Sequence, residues 1–244
     1  MYDDLNNLQY SLVRDNKYAR WFQDYQYLER TLSDEERKEF IAVVDETVEQ
    51  FSEGLPFFHS ELERIKGFNG EYYNIDRAIL SVSQFVLITM IDSMVATKYF
   101  ILADKDYDRR FMRGKLMVIV NEGFKKLYGF ETKTKKESEW NRLAPYMCHF
   151  SDQINQQFNV LNALLEKHAQ SSSWRKEERN LETHLDADKL YISREKEVKE
   201  GSVMMESLKL FETLFAVNHF LANLNACMRN YLLDKYHKGE LKED

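Results

Sequence analysis

The chain has 244 residues, of which 43% are hydrophobic and 31% are charged, with only 8 glycines and 2 prolines. So few turn-forming residues exclude an all-β sandwich or barrel, and the even spread of apolar and aromatic residues excludes a disordered chain. The formal net charge of −7 disfavours binding along extended stretches of DNA or RNA. It also disfavours adsorption to anionic membranes.

Helical spacing of apolar residues begins near the N-terminus and continues through the first 70 residues. Ser33 and Glu36 form the pattern of a capping box, in which each side chain bonds the backbone N–H of the other. The helix that they open is predicted to stop at Gly54-Leu55-Pro56, and a short helix is predicted over 57–66. Residues 1–70 are therefore expected to be helices packed on the rest of the chain.

The middle and the end of the chain predict longer helices. Residues 75–104 are apolar on nearly every side, so this helix should be covered all round by its neighbours. Further helices are predicted over 108–128, over 138–170 with an interruption near Pro145, and over 202–236, which is again apolar nearly all round.

These segments predict an all-α fold, an irregular and mostly antiparallel helical bundle formed as a single domain over 1–244. The segment 171–200 differs from the rest because charged residues dominate it and apolar residues are sparse. We expect it to be a solvated excursion from the bundle.

The two cysteines, Cys148 and Cys227, lie in apolar surroundings and form no CxxC pair, so we expect buried free thiols in a reducing compartment. The start of the chain is acidic and does not resemble a secretory signal. The longest uncharged apolar run, Ala78 to Ile91, is too short to span a bilayer. We therefore expect a cytoplasmic protein without a membrane partner.

Motifs for metals and cofactors are absent from the sequence. No histidine follows a glutamate at the spacing of a dimetal bundle site, and no HExxH motif or Cys/His cluster is present. No glycine-rich phosphate loop and no GxSxG nucleophile turn is present either. We expect neither a metal nor a cofactor.

Two polar residues interrupt the apolar helices. Asp92 falls within the most apolar helix, where a buried carboxylate needs a partner or a raised pKa. It could orient a catalytic arginine or histidine, or be satisfied structurally by a neighbouring helix. His219, inside the apolar run Leu214–Leu224, is expected to be a core histidine.

One motif suggests chemistry: Arg179-Asn180-Leu181-Glu182-Thr183-His184, followed by Asp186. The arginine and histidine are separated by four residues, with a polar residue directly after the arginine. Arg142 and His149 satisfy the same pattern more loosely, with apolar residues between them that are typical of a helix interior.

The first of these motifs resembles the signature of HEPN domains, all-helical modules of prokaryotic defence and toxin systems, in an abortive-infection-like branch. The resemblance implies a HEPN-like core over 75–236 and a metal-independent endoribonuclease, or a degenerate RNA-associated relative, acting as a homodimer. His184 would then be the general acid/base and Arg179 would stabilise phosphate charge, with Asn180 in support. Asp186 and Asp92 are further candidates for supporting carboxylates, and DNA would not be cleaved because it lacks the attacking 2′-hydroxyl.

An alternative belongs to another class of protein. The same helices are compatible with a non-enzymatic protein–protein interaction module, in which the motif is merely part of a solvated face. A third option is a helical module that encloses a small apolar ligand, suggested by the abundant Phe, Tyr and Met.

Overall fold

The computed structural model describes residues 32–170 and 200–238. These residues form seven α-helices and two short 3₁₀-helices, and no strand occurs among them. The α-helices are α1 (Asp34–Ser52), α2 (Leu55–Ile65), α3 (Glu71–Leu102), α4 (Asp106–Leu127), α5 (Thr132–Lys136), α6 (Asp152–Ala169) and α7 (Glu200–His237). The 3₁₀-helices are η1 (Trp140–Arg142) and η2 (Ala144–His149). The predicted all-α helical bundle is confirmed.

The capping box predicted at the start of α1 is present. The Ser33 N–H donates to Glu36 Oε2 at 2.7 Å, and the Glu36 N–H donates to Ser33 Oγ at 3.3 Å. Helix α1 buries Phe40 and Val44, and Arg37 donates from Nη1 to the carbonyl of Ile101 at 2.8 Å. This last bond satisfies one of the free carbonyls at the C-terminal end of α3 and fixes α1 across it.

Helix α3 is the central element of the bundle, since α1, α2, α4 and α7 all pack against it. Its contact with α7 includes a buried polar pair, Thr97 Oγ1 and Ser207 Oγ, 2.6 Å apart. The prediction that α3 is covered on all sides is wrong, because Ile88 is 42% and Tyr99 is 55% exposed. Four helices pack on one part of its circumference and leave this strip open.

Helix α4 approaches α3 closely because a glycine lies at the contact. Gly123 is buried beside Thr89, with no room for a side chain between them. The following turn contains Gly129, whose φ of 87° is a left-handed conformation that favours glycine after a helix end.

The interruption predicted near Pro145 is present, and it is larger than a kink. The chain forms η1 and η2 before α6 begins at Asp152, and Pro145 lies in the first turn of η2. Trp140 anchors this segment: its ring stacks on Phe158 with centroids 4.6 Å apart, and its Nε1–H donates to Asn162 Oδ1 at 3.2 Å. Cys148 is exposed on η2, so the prediction of a buried thiol is wrong there; both cysteines are free.

Helix α7 packs within its own chain, against α3, α4 and α6. Its contact with α6 includes His168 Nδ1 and Thr213 Oγ1, which are 2.9 Å apart. Because the Thr213 hydroxyl donates to the carbonyl of Lys209, the histidine nitrogen is the donor in this pair. The apolar residues of α7 therefore pack inside the bundle.

Candidate functional site

The Arg/His motif that resembles the HEPN signature lies outside the described residues. This holds for Arg179, Asn180, His184 and the candidate support Asp186. The helices before and after the motif, α6 and α7, pack on each other.

Two expectations about polar residues inside apolar helices are wrong. Asp92 is exposed on α3, along the open strip that also contains Ile88, and only a partial loss of hydration raises its pKa. His219 is exposed on α7. A half-buried histidine is found instead on α6: His168, whose pKa is lowered to about 4 by loss of hydration and by the nearby charges of Lys209 and Lys167.

The looser Arg/His pair is held in place by carboxylates. Arg142 Nη1 lies 3.1 Å from Glu139 Oε2, and His149 Nε2 lies 3.1 Å from Glu71 Oε1 at the start of α3. The expectation of a helix interior is wrong here, since Arg142 is exposed and the two residues lie in the short 3₁₀-helices η1 and η2.

A groove of about 460 Å³ lies between α2, α3 and α7. We call it the asparagine groove. Its lining from α7 comprises Asn218, Leu221, Ala222, Asn225, Ala226, Arg229 and Asn230, and its other wall comprises Phe57, Phe58 and Ser83. The small side chains of Ala222 and Ala226 leave the space between α2 and α7 unfilled.

The amides of the asparagine groove have no partner in the described protein. Asn218 and Asn225 are half-buried, and neither they nor Asn230 hydrogen-bond to another described residue. Half-buried amides of this kind are available to a ligand that offers both a donor and an acceptor. The exposed ring of Phe57, packed edge-on against Phe58, adds an apolar surface opposite them.

Charged residues surround one end of this groove. Arg64 Nη2 lies 2.7 Å from Glu61 Oε2, and the hydrogen bond from this guanidinium is the main reason that the pKa of Glu61 is lowered. Burial raises the pKa of Asp76. Arg229 is close enough to influence both carboxylates and forms no ion pair with a described residue. One guanidinium therefore remains open at this end.

A second groove, of about 390 Å³, lies between the first half of α3 and the 3₁₀ segment. We call it the arginine groove. It is lined by Asn74, Arg77, Ala78, Ser81, Arg142, Pro145 and Tyr146. The four lining residues from α3 recur at helical spacing and therefore share one face of that helix. This face becomes one wall of the groove because the 3₁₀ segment packs across it.

The described residues contain no group of three or more His, Cys, Asp or Glu side chains that could hold a metal ion. One described helix, α3, is long and apolar enough to cross a membrane by length and composition. Since it forms the centre of the bundle and most of its apolar window is buried, a core helix accounts for the same composition.

Comparison with known proteins gives no relative: no family model, no curated protein and no solved structure matches the chain. The HEPN resemblance therefore depends on the motif itself.

Both grooves were missed at the level of sequence. The available signal in α7 was the placement of Asn218, Ala222, Asn225 and Arg229, which recur at helical spacing within an otherwise apolar helix. In the arginine groove the two guanidinium groups are 65 residues apart in sequence and come together only in the folded bundle.

Proposed function

We propose that this chain is a non-enzymatic helical interaction protein whose asparagine groove binds an extended segment of another polypeptide. The observation that supports this proposal is the set of half-buried, unpartnered amides of Asn218 and Asn225 on one wall of an open groove. This is the alternative that the sequence already offered beside the ribonuclease.

The amide group suits the backbone of a polypeptide. A carboxamide presents one acceptor and two donors, which complement the N–H and C=O groups of a peptide unit. Asn218 and Asn225 are two helical turns apart, about 10 Å along the axis of α7. An extended chain covers that distance in about three residues. The two amides therefore match backbone groups on one edge of an extended segment.

The charge of the groove favours a polypeptide over a nucleic acid. Among the described residues that line this groove, Arg229 is the only cationic one, whereas binding a nucleic-acid strand needs several phosphate contacts. The net charge of −7 also opposes a polyanion. An acidic side chain in the bound segment would pair with Arg229, one turn beyond Asn225.

Selection from a phage-displayed library of short peptides, with the full chain immobilised, tests this proposal. Peptides that bind should lose about tenfold in affinity to Asn225→Ala, because a pair of backbone hydrogen bonds is lost. Asn223→Ala is the matched control: it lies on the same helix and does not line the groove. A failure to enrich any peptide would contradict the proposal, and so would equal binding of the peptides to the wild type, Asn225→Ala and Asn223→Ala.

Metal-independent cleavage of RNA is the second candidate function. It is supported by the motif Arg179-Asn180-x-x-x-His184, in an all-helical chain whose α6 and α7 flank it and pack on each other. In this proposal the chain has a HEPN-like core, dimerises, and cuts single-stranded RNA in the presence of EDTA. His184→Ala should then slow cleavage by about 10²–10⁴-fold.

Arg142→Ala and His149→Ala are the controls for this activity, because they match the loose spacing and pair with Glu139 and Glu71. Cleavage that depends on Arg142 and His149, and not on His184, would show that the assignment of the activity to Arg179 and His184 is wrong. Wild-type protein that leaves a broad panel of RNAs intact would remove the ribonuclease from consideration and leave the interaction protein.

A further inference from the structure

The described residues that line the arginine groove are rich in hydrogen-bond donors, and none of them is a carboxylate. Its polar groups are the guanidinium groups of Arg77 and Arg142, the hydroxyls of Ser81 and Tyr146, and the amide of Asn74. Donors that converge without a carboxylate among them are the chemistry of an anion site. We propose that this groove binds the phosphate group of a small phosphorylated molecule, a function separate from that of the asparagine groove, with which it shares no residue.

Arg77 supplies a fixed positive charge. Its Nη2 donates to the carbonyls of Ile65 at 3.1 Å and Phe68 at 2.9 Å, and its Nη1 donates to Asn74 Oδ1 at 3.3 Å. These acceptors are all neutral, and the guanidinium forms no ion pair with a described residue. Its remaining N–H groups are thus held in one orientation with the charge uncompensated, as oxyanion recognition requires.

Arg142 supplies the second guanidinium from the opposite wall. Its side chain is 55% exposed and is anchored by Glu139, whose side chain is only 6% exposed. The carboxylate offsets one of the two positive charges and aligns the Arg142 fork through Nη1, leaving further N–H groups free for a ligand. The two arginines together with Glu139 therefore carry the net charge of one cation, which suits a single phosphate group.

The size and the neutral walls of the groove favour a small molecule. A volume of about 390 Å³ lies within the range of small-molecule sites, about 300–1,000 Å³. Ser81 and Tyr146 are half-buried and their hydroxyls bond no described residue, so both can donate to phosphate oxygens. The rings of Pro145 and Tyr146 provide a flat surface for the organic part of the ligand.

Isothermal titration calorimetry of the full chain at low ionic strength tests the proposal, with adenosine 5′-monophosphate, inorganic phosphate and adenosine as probes. We expect the first two to bind and adenosine not to bind. Arg142→Lys keeps a cation opposite Glu139 and loses the planar fork, so it should weaken binding of the monophosphate about tenfold. Arg229→Ala, which removes an arginine from the asparagine groove, is the matched control and should leave this binding unchanged.

Four results would overturn the proposal. The first is the absence of binding by both phosphate probes; the second is equal binding of adenosine and its monophosphate. The third is unchanged binding of the monophosphate in Arg142→Lys and in Arg142→Ala. The fourth is binding of a single-stranded oligoribonucleotide without binding of the monophosphate, which would point to RNA. None of these results affects the peptide proposal, which is tested at Asn225.

Discussion

Replacing Gly123 by alanine would test how closely α3 and α4 pack. A Cβ atom at this position would lie 2.7 Å from Thr89 Cγ2 and 3.5 Å from Leu210 Cδ2. The first distance is well inside van der Waals contact, so α3, α4 or the threonine must move. Thr89 is held in its rotamer because its Oγ1 donates to the carbonyl of Phe85 at 2.8 Å, and a β-branched side chain in a helix has few alternatives.

The expected change in the free energy of unfolding follows from two opposing effects. Overpacking a well-packed core costs about 1–3 kcal/mol. Alanine recovers up to about 1 kcal/mol because it is a better helix former than glycine. The 2.7 Å approach to Thr89 Cγ2 places the cost in the upper part of that range, about 2–3 kcal/mol. After the gain of about 1 kcal/mol is subtracted, we expect Gly123→Ala to destabilise the protein by about 1–2 kcal/mol.

Urea denaturation measures this change as a lower midpoint with an unaltered slope. Thr89→Ser removes the clashing methyl group and keeps the hydroxyl, so the double variant should recover at least about 0.5 kcal/mol as coupling energy. Gly67→Ala is the control, since no atom lies within 4 Å of its Cβ, and it should be neutral or slightly stabilising. The predicted clash with Thr89 would be refuted if Gly123→Ala were as stable as the wild type. It would also be refuted if the effects of the two substitutions were simply additive in the double variant.

Three further predictions concern backbone conformation and pH. Gly129→Ala should destabilise by more than Gly123→Ala, as measured by thermal unfolding, because φ is 87° and its Cβ would lie 2.5 Å from the Lys135 nitrogen. The pKa of His168 in the folded protein is about 4, so its contribution to stability should fall by about 3 kcal/mol at most as pH falls from about 6.5 to about 4. Burial raises the pKa of Glu212 to about 7, so its contribution should fall as pH rises from about 4.5 to about 7, opposite in sign over the shared range. Each contribution is therefore measured as the difference in stability between wild type and His168→Asn, or wild type and Glu212→Gln, in urea denaturation at each pH.

The sequence by itself determined the helical class and most element bounds, because the periodicity of apolar residues and local capping are properties of neighbouring residues. The capping box at Ser33, the stop before Pro56 and the break near Pro145 are all local, and the structure contains each of them. The HEPN resemblance and the dimer that it implies remain predictions, since the motif lies outside the described residues.

Only the tertiary structure decided which faces of the helices remain open, because this depends on where other helices pack. Asp92 and His219 lie in apolar sequence and are nevertheless exposed, whereas His168 lies near a helix end and is half-buried. Helix α3 meets its four neighbours on part of its circumference, so no local pattern could separate its buried face from its exposed strip. For the same reason, both grooves exist only where residues distant in sequence meet across helices that fail to close.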